Sequence, residues 1–163
     1  MARIVGVIRA VDGAAALGER WLAVALLAAT VLIVVLQVVF RHVLNSSLSW
    51  AEEAARYLFV WAALLGFSSA VAAGQLFSFD MIYQRLGRAG RRVCGVLFVL
   101  AAVAFLAVLA VNGAGLVART VTQTSPAMSV PMAWPYAALP VAAVLVALHF
   151  VRSLVDPRVD GHP

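Results

Sequence analysis

The stretch Trp21–Phe40, WLAVALLAATVLIVVLQVVF, contains no charged residue and lies between Arg20 and Arg41. At helical rise a segment of this length covers about 30 Å, the thickness of the hydrocarbon core of a bilayer. Three further stretches have the same character. Tyr57–Phe79 lies between Arg56 and Asp80, and Val93–Ala118 lies between Arg92 and Arg119. Thr120–Val151 ends at Arg152, and its apolar part begins near Pro131. In hydrocarbon each segment must be helical, because an unpaired backbone group there costs several kcal/mol. The chain therefore reads as an all-α membrane protein with four transmembrane helices, at about 21–40, 57–79, 93–118 and 132–151. Core helices of a soluble protein are the alternative, and four such stretches in 163 residues argue against it.

Composition agrees. Hydrophobic residues make up 64% and charged residues 12%, against about half and a quarter in soluble domains. The formal charge is +5, and every basic residue is arginine. These arginines flank apolar segments rather than an aromatic or glycine-rich surface, so they read as topology signals and not as a nucleic-acid site. The single cysteine, Cys94, excludes an internal disulfide and a cysteine-based zinc site.

Arginine placement predicts the orientation. Arg3, Arg9, Arg20, Arg85, Arg88, Arg91, Arg92, Arg152 and Arg158 share one side of a four-span chain. Arg41, Arg56 and Arg119 lie on the other. Arginine-rich connections stay inside, so both termini are expected in the cytoplasm. Residues 1–20 read as an amphipathic segment along the inner membrane surface, with Ile4, Ile8, Val11 and Ala15 on one face. Asp12 and Glu19 interrupt it, which argues against a cleaved signal peptide. The domain plan is then this segment, a four-helix transmembrane domain over 21–154 and a cytoplasmic tail over 155–163.

The first outer connection reads RHVLNSSLSWAEEAAR (Arg41–Arg56). Ser49 followed by Glu52 fits a capping box, which predicts a helix from Trp50 to about Phe79. Glu52 and Glu53 stand four and three residues before Arg56, so both are expected to pair with it. Ala62, Gly66, Ala70 and Gly74 recur every four positions and suit close helix approach; chance in an alanine-rich chain is the other reading. Pro140 falls near the middle of the fourth span and is expected to kink it.

A solute pathway needs ionisable or strongly polar groups near the midplane. The spans as drawn contain no Asp, Glu, Lys or Arg, and their polar members include Gln37, Ser68, Ser69, Asn112 and His149. Gln37 and Asn112 read as interhelical hydrogen-bonders, and Ser68 and Ser69 as bonded back to their own helix. His42 and His149 stand a span apart and cannot share one haem iron. No nucleophile–base arrangement or phosphate loop is present. The chain is therefore expected to be no enzyme, with no catalytic, cofactor or metal residues, and not to carry a charged solute by itself.

The stretch FRHVLNSSLSWAEEAARYLFVWAALLGFSSAVAAGQLFSFDMI resembles the small, DctQ-like membrane subunit of tripartite ATP-independent periplasmic (TRAP) transporters. The residues carrying the resemblance are Phe40, Arg41, Trp50, Glu52, Glu53, Arg56, Tyr57–Trp61, Gly66 and Gly74. The later stretch SPAMSVPMAWPYAALPVAAVLVALH is similar at Pro126, Ala127, Pro131, Met132, Tyr136, Pro140 and His149. The resemblance runs from about Trp21 to Leu154. One position departs: Leu76 stands where the family often has a His two residues after Gly74, so that residue's role is not carried over.

The resemblance implies a subunit that binds and scaffolds a large multi-span permease. It also implies help in forming the docking face for a periplasmic binding protein during ion-gradient-driven uptake of an organic acid. Membrane lipids are the remaining partner, and no nucleic acid is implied. Arg41, Trp50, Glu52, Glu53, Arg56, Trp61, Gly66, Gly74, Pro131 and Tyr136 are the candidate scaffold and partner-interface residues. A membrane anchor for an electron-transfer enzyme and a self-contained small exporter are the competing readings. Bound haem or quinone marks the first of these, and flux through the chain alone marks the second.

Overall fold

The computed structural model describes the backbone of residues 2–74 and 87–155. Side chains are described for 13–74 and 93–150, and burial also at Gly87 and Gly90. The described chain contains four helices: α1 Ala2–Val43, α2 Ser49–Ala72, α3 Arg88–Thr120 and α4 Ala133–Val155. All four contain stretches long and apolar enough to cross a membrane. The four-span reading of the sequence therefore holds.

The helices pack in a row. α1 lies on α2, α2 on α4, and α4 on α3. The inner pair, α2 and α4, supplies most of the buried apolar residues, including Ala51, Ala62, Leu65, Ala138, Ala142 and Phe150. Val71, Leu106, Ala143 and Val146 form a buried cluster where α2, α3 and α4 meet. α1 and α3 instead expose rows of Val and Leu, such as Val31, Leu32 and Val35, and Val96, Leu97 and Leu100. Such surface is costly in water and compatible with lipid or a membrane partner.

α1 runs without a break for 42 residues, about 63 Å at helical rise. The amphipathic segment and the first span expected from the sequence thus share one helix. That helix is about twice as long as the hydrocarbon core is thick. It ends where Asn45 takes a left-handed conformation with φ 47, and both Leu44 and Ser46 donate to the Phe40 carbonyl.

α2 differs from its sequence reading at both ends. Leu48 occupies the N-cap position, and no side chain caps the helix. Ser49 is already helical, and the Ala51 N–H closes the first turn on the Leu48 carbonyl at 3.0 Å. The expected capping box therefore does not form. At the other end the helix stops at Ala72 instead of near Phe79. The Ala73 N–H bonds the Ser69 carbonyl, and the Gly74 N–H bonds that of Val71. Gly74 has φ 71, a conformation open to glycine and one that ends helices. Its 24 residues cover about 36 Å, close to one bilayer crossing. The readings placed on Leu76, on the rest of the span up to Phe79 and on residues 156–163 lie outside the described residues.

α4 continues through Pro140. On α3, a Cβ built on Gly113 would lie 3.0 Å from the Pro140 Cδ, 3.2 Å from its N and 3.3 Å from its Cβ. The missing side chain lets α3 press directly against the proline ring. The sequence reading picked out Pro140 and passed over Gly113.

Candidate functional site

The N-terminal ends of α2 and α4 and the loop before α4 hold the largest cluster of described long-range hydrogen bonds. It begins with two adjacent carboxylates. Successive helical residues are rotated by about 100°, so Glu52 and Glu53 face different surroundings. Glu52 points outward and lies 3.5 Å from the Arg56 guanidinium, with both side chains well exposed. An exposed pair of this kind adds little stability.

Glu53 points inward and is buried. Its Oε2 accepts the backbone N–H groups of Ala127 at 3.1 Å and Met128 at 2.9 Å. Its Oε1 accepts the Tyr57 hydroxyl at 2.6 Å. The Tyr57 oxygen also lies 3.2 Å from the Met132 Sδ. A hydroxyl has one proton to donate, and an ionised carboxylate is a far better acceptor than a thioether. The Met132 contact is therefore packing beside the main bond. The sequence reading paired Glu53 with Arg56; the structure turns it to the bundle and gives it the α3–α4 loop.

The loop is shaped to be held this way. Thr124 and Pro131 form an isolated antiparallel bridge. The Met132 N–H donates to the Gln123 carbonyl at 2.8 Å, and the Ser125 N–H donates to that of Val130 at 2.9 Å. The buried Ser125 side chain accepts the Val130 N–H at 3.3 Å, and Ser129 sits at φ 53. These bonds close the base and flanks of the loop. The amides at its tip, Ala127 and Met128, are the ones left for Glu53. Pro131 ends the loop, and its carbonyl accepts the Trp134 N–H as α4 begins.

Trp61 adds a second tie between α2 and α4, donating its indole N–H to the Trp134 carbonyl at 3.2 Å. Glu53, Trp61 and Pro131 among the expected residues thus come together, and Tyr136 is half-buried in the first turns of α4. Trp50 is partly exposed at the start of α2, and Arg41 is exposed at the end of α1. Gly74 serves as the helix end. Gly66 has no atom within 4 Å of where a Cβ would sit. It lines a cleft of about 750 Å³ between α1 and α2, together with Gly13, Ala16, Arg20, Ala62 and Ala70.

The sequence alone assigns no role in this site to Tyr57 or Ser125. Tyr57 was recoverable, since it follows Glu53 by four residues and so shares its face. The partner loop, more than seventy residues away, left no local signal.

The polar groups of the spans are mostly satisfied locally. The Asn112 amide donates to the Val108 carbonyl of its own helix at 2.8 Å, which corrects the interhelical role expected of it. Thr30 and Thr120 bond back in the same way. Ser68 is fully buried, and its hydroxyl has no partner among the described residues, contrary to the back-bond expected of it. Toward the C-terminal end of α4 the His149 Nε2 lies 3.1 Å and 3.3 Å from the two carboxylate oxygens of Glu19, and both side chains are buried.

Four helices long and apolar enough to cross a membrane, with one connecting loop tied down by a carboxylate, define a multi-pass membrane protein. The chain belongs to the DctQ component family of tripartite ATP-independent periplasmic transporters, whose model matches residues 30–159. The family is a transporter subunit, not an enzyme.

The chain is 32% identical over 108 residues to the C4-dicarboxylate TRAP transporter small permease protein DctQ of Rhodobacter capsulatus, covering 65% of this chain and 48% of that one. It is 27% identical over 118 residues to the isethionate TRAP transporter permease protein DctMQ of Oleidesulfovibrio alaskensis, covering 71% and 19%. It is 29% identical over 139 residues to the sialic acid TRAP transporter permease protein SiaT of Haemophilus influenzae, covering 83% and 22%. The chain thus spans about half the length of the first of these relatives and about a fifth of the other two.

Proposed function

We propose that this chain is the small permease subunit of a TRAP-type secondary importer in a bacterial inner membrane. In this role it binds and scaffolds a large multi-span permease subunit. It also helps form the outer face on which a periplasmic substrate-binding protein docks. An ion gradient, commonly sodium, drives uptake of an organic acid through the large subunit. Both termini are cytoplasmic, as the arginine distribution favours. Residues 2–20 continue α1 beyond the first span as an arm on the cytoplasmic side.

The observation that carries this reading is the outer loop fastened by Glu53. A loop whose tip amides are held by a carboxylate from another helix keeps one shape, and a fixed shape is what a docking face needs. Two matched relatives are far longer than this chain, which supports a large permease as its companion. Isethionate, C4-dicarboxylates and sialic acid, named for the relatives, are all organic acids, which supports that substrate class. Arg41, Trp50, Glu52 and Arg56 surround the fixed loop as the partner-facing rim. Gly66, with open space beside it, receives a helix of the large subunit.

Purification from the native membrane in mild detergent tests the assignment. A large permease of about a dozen helices is expected to accompany the chain. Sodium-driven uptake of an organic acid is expected in liposomes only when that protein and the binding protein are both supplied. Recovery of a redox subunit, or of a homo-oligomer alone, overturns the reading.

A further inference from the structure

α1 is held unevenly. It packs on α2, but between Gly13 and Leu27 it borders the cleft lined across from it by Gly66 and Ala70. Neither Gly13 nor Gly18 has an atom within 4 Å of where a Cβ would sit. Residues 2–18 form an arm of about 25 Å at helical rise. At the root of this arm a hydrogen bond joins α1 to α4, from the His149 imidazole N–H to the carboxylate of Glu19. The two side chains retain 2% and 8% of their exposure and are 130 residues apart.

Burying a carboxylate and an imidazole costs solvation that their mutual attraction offsets only in part, so well-packed apolar residues are often as stabilising. Such a pair is poorly explained as a source of stability. What it supplies is direction: two oxygens and one ring nitrogen meet in a narrow range of geometries, whereas apolar contact is non-directional. We propose that Glu19 and His149 form a clasp that fixes the angle at which the N-terminal arm leaves the bundle. They are positioning residues for the arm, and the inference stands independently of which partner the arm meets.

The test uses the full chain in lipid nanodiscs, with Cys94→Ser removing the native thiol. Spin labels at Ala15→Cys and Val144→Cys report the arm against α4. Labels at Val108→Cys and Val144→Cys report α3 against α4 as a control. The clasp predicts a narrow arm distance distribution that broadens at least roughly twofold in Glu19→Leu/His149→Leu, with thermal stability retained and the control unchanged. Exchanging the partners, Glu19→His/His149→Glu, restores the narrow distribution. An arm distribution that stays narrow in the double leucine variant overturns the proposal, as does equal broadening of both label pairs. Failure of the double leucine variant to insert, while the exchanged pair inserts, also overturns it, because the pair then serves folding rather than direction.

Discussion

Glu52 and Glu53 are chemically identical neighbours, and the turn of one helix gives them different work. Glu52 shares solvent with Arg56 at 3.5 Å, where screening and side-chain entropy cancel most of the attraction. Glu53 takes three donors from two elements: the Tyr57 hydroxyl and the amides of Ala127 and Met128. Glu53→Ala removes both acceptor oxygens, so all three of these bonds are lost. Amide hydrogen exchange at Ala127 and Met128 is expected to accelerate by roughly tenfold or more. Tyr57→Phe should have a smaller effect, because the carboxylate keeps both amides, and Glu52→Ala should have almost none. Equal acceleration in all three variants would show that the loop is not held by this carboxylate. The sequence made Glu53 a suspect through its place in the Trp50–Arg56 motif, but spacing alone joined it to Arg56. Which way a helical residue faces depends on what packs there, and the partner here is a loop far along the chain.

At the scale of elements, glycines of similar appearance serve opposite ends. Gly113 lies against the Pro140 ring, where a Cβ would meet it at 3.0–3.3 Å, tighter than ordinary van der Waals contact. Gly66 faces open cleft, and Gly74 ends α2 through its positive φ. Gly113→Val should therefore overpack the α3–α4 contact at a cost of about 1–3 kcal/mol, read as a lower melting temperature of the isolated chain in detergent. Gly66→Ala should leave that temperature within about a degree or two, since a surface change away from packed contacts usually stays within about 0.5 kcal/mol. If Gly66 receives a helix of a large permease, Gly66→Leu should reduce copurification of that permease while the isolated chain remains as stable as before. The four spans were legible because a bilayer demands about twenty apolar residues in a row. The end of α2 was not, because the run from Gln75 to Phe79 is as uncharged as the span before it, and only the conformation of Gly74 marks the boundary. Gly113 was hidden for a related reason: the contact it allows depends on which helix lies opposite.

At the scale of the whole molecule, charge sits toward the ends and is scarce between them. Arg41 and the Glu52–Arg56 pair lie where α1 ends and α2 begins, while Glu19 and His149 meet toward the opposite side, midway along α1 and in the last turns of α4. Between them the polar side chains Thr30 and Asn112 return their hydrogen bonds to their own helices, and among the described residues no charged group stands at mid-depth to hold an anion. Arginine bias predicts that the Glu53 loop lies outside. Single cysteines on a Cys94→Ser background can read that orientation directly. Ser46→Cys and Gln123→Cys, both on exposed connections, should react with a membrane-impermeant maleimide in cells whose inner membrane is intact. Gly87→Cys, at the exposed entrance to α3, should react only after that membrane is permeabilised. The reverse pattern would place the fastened loop in the cytoplasm, where no periplasmic protein could reach it, and the docking role would fall even though the helices and their packing stood unchanged.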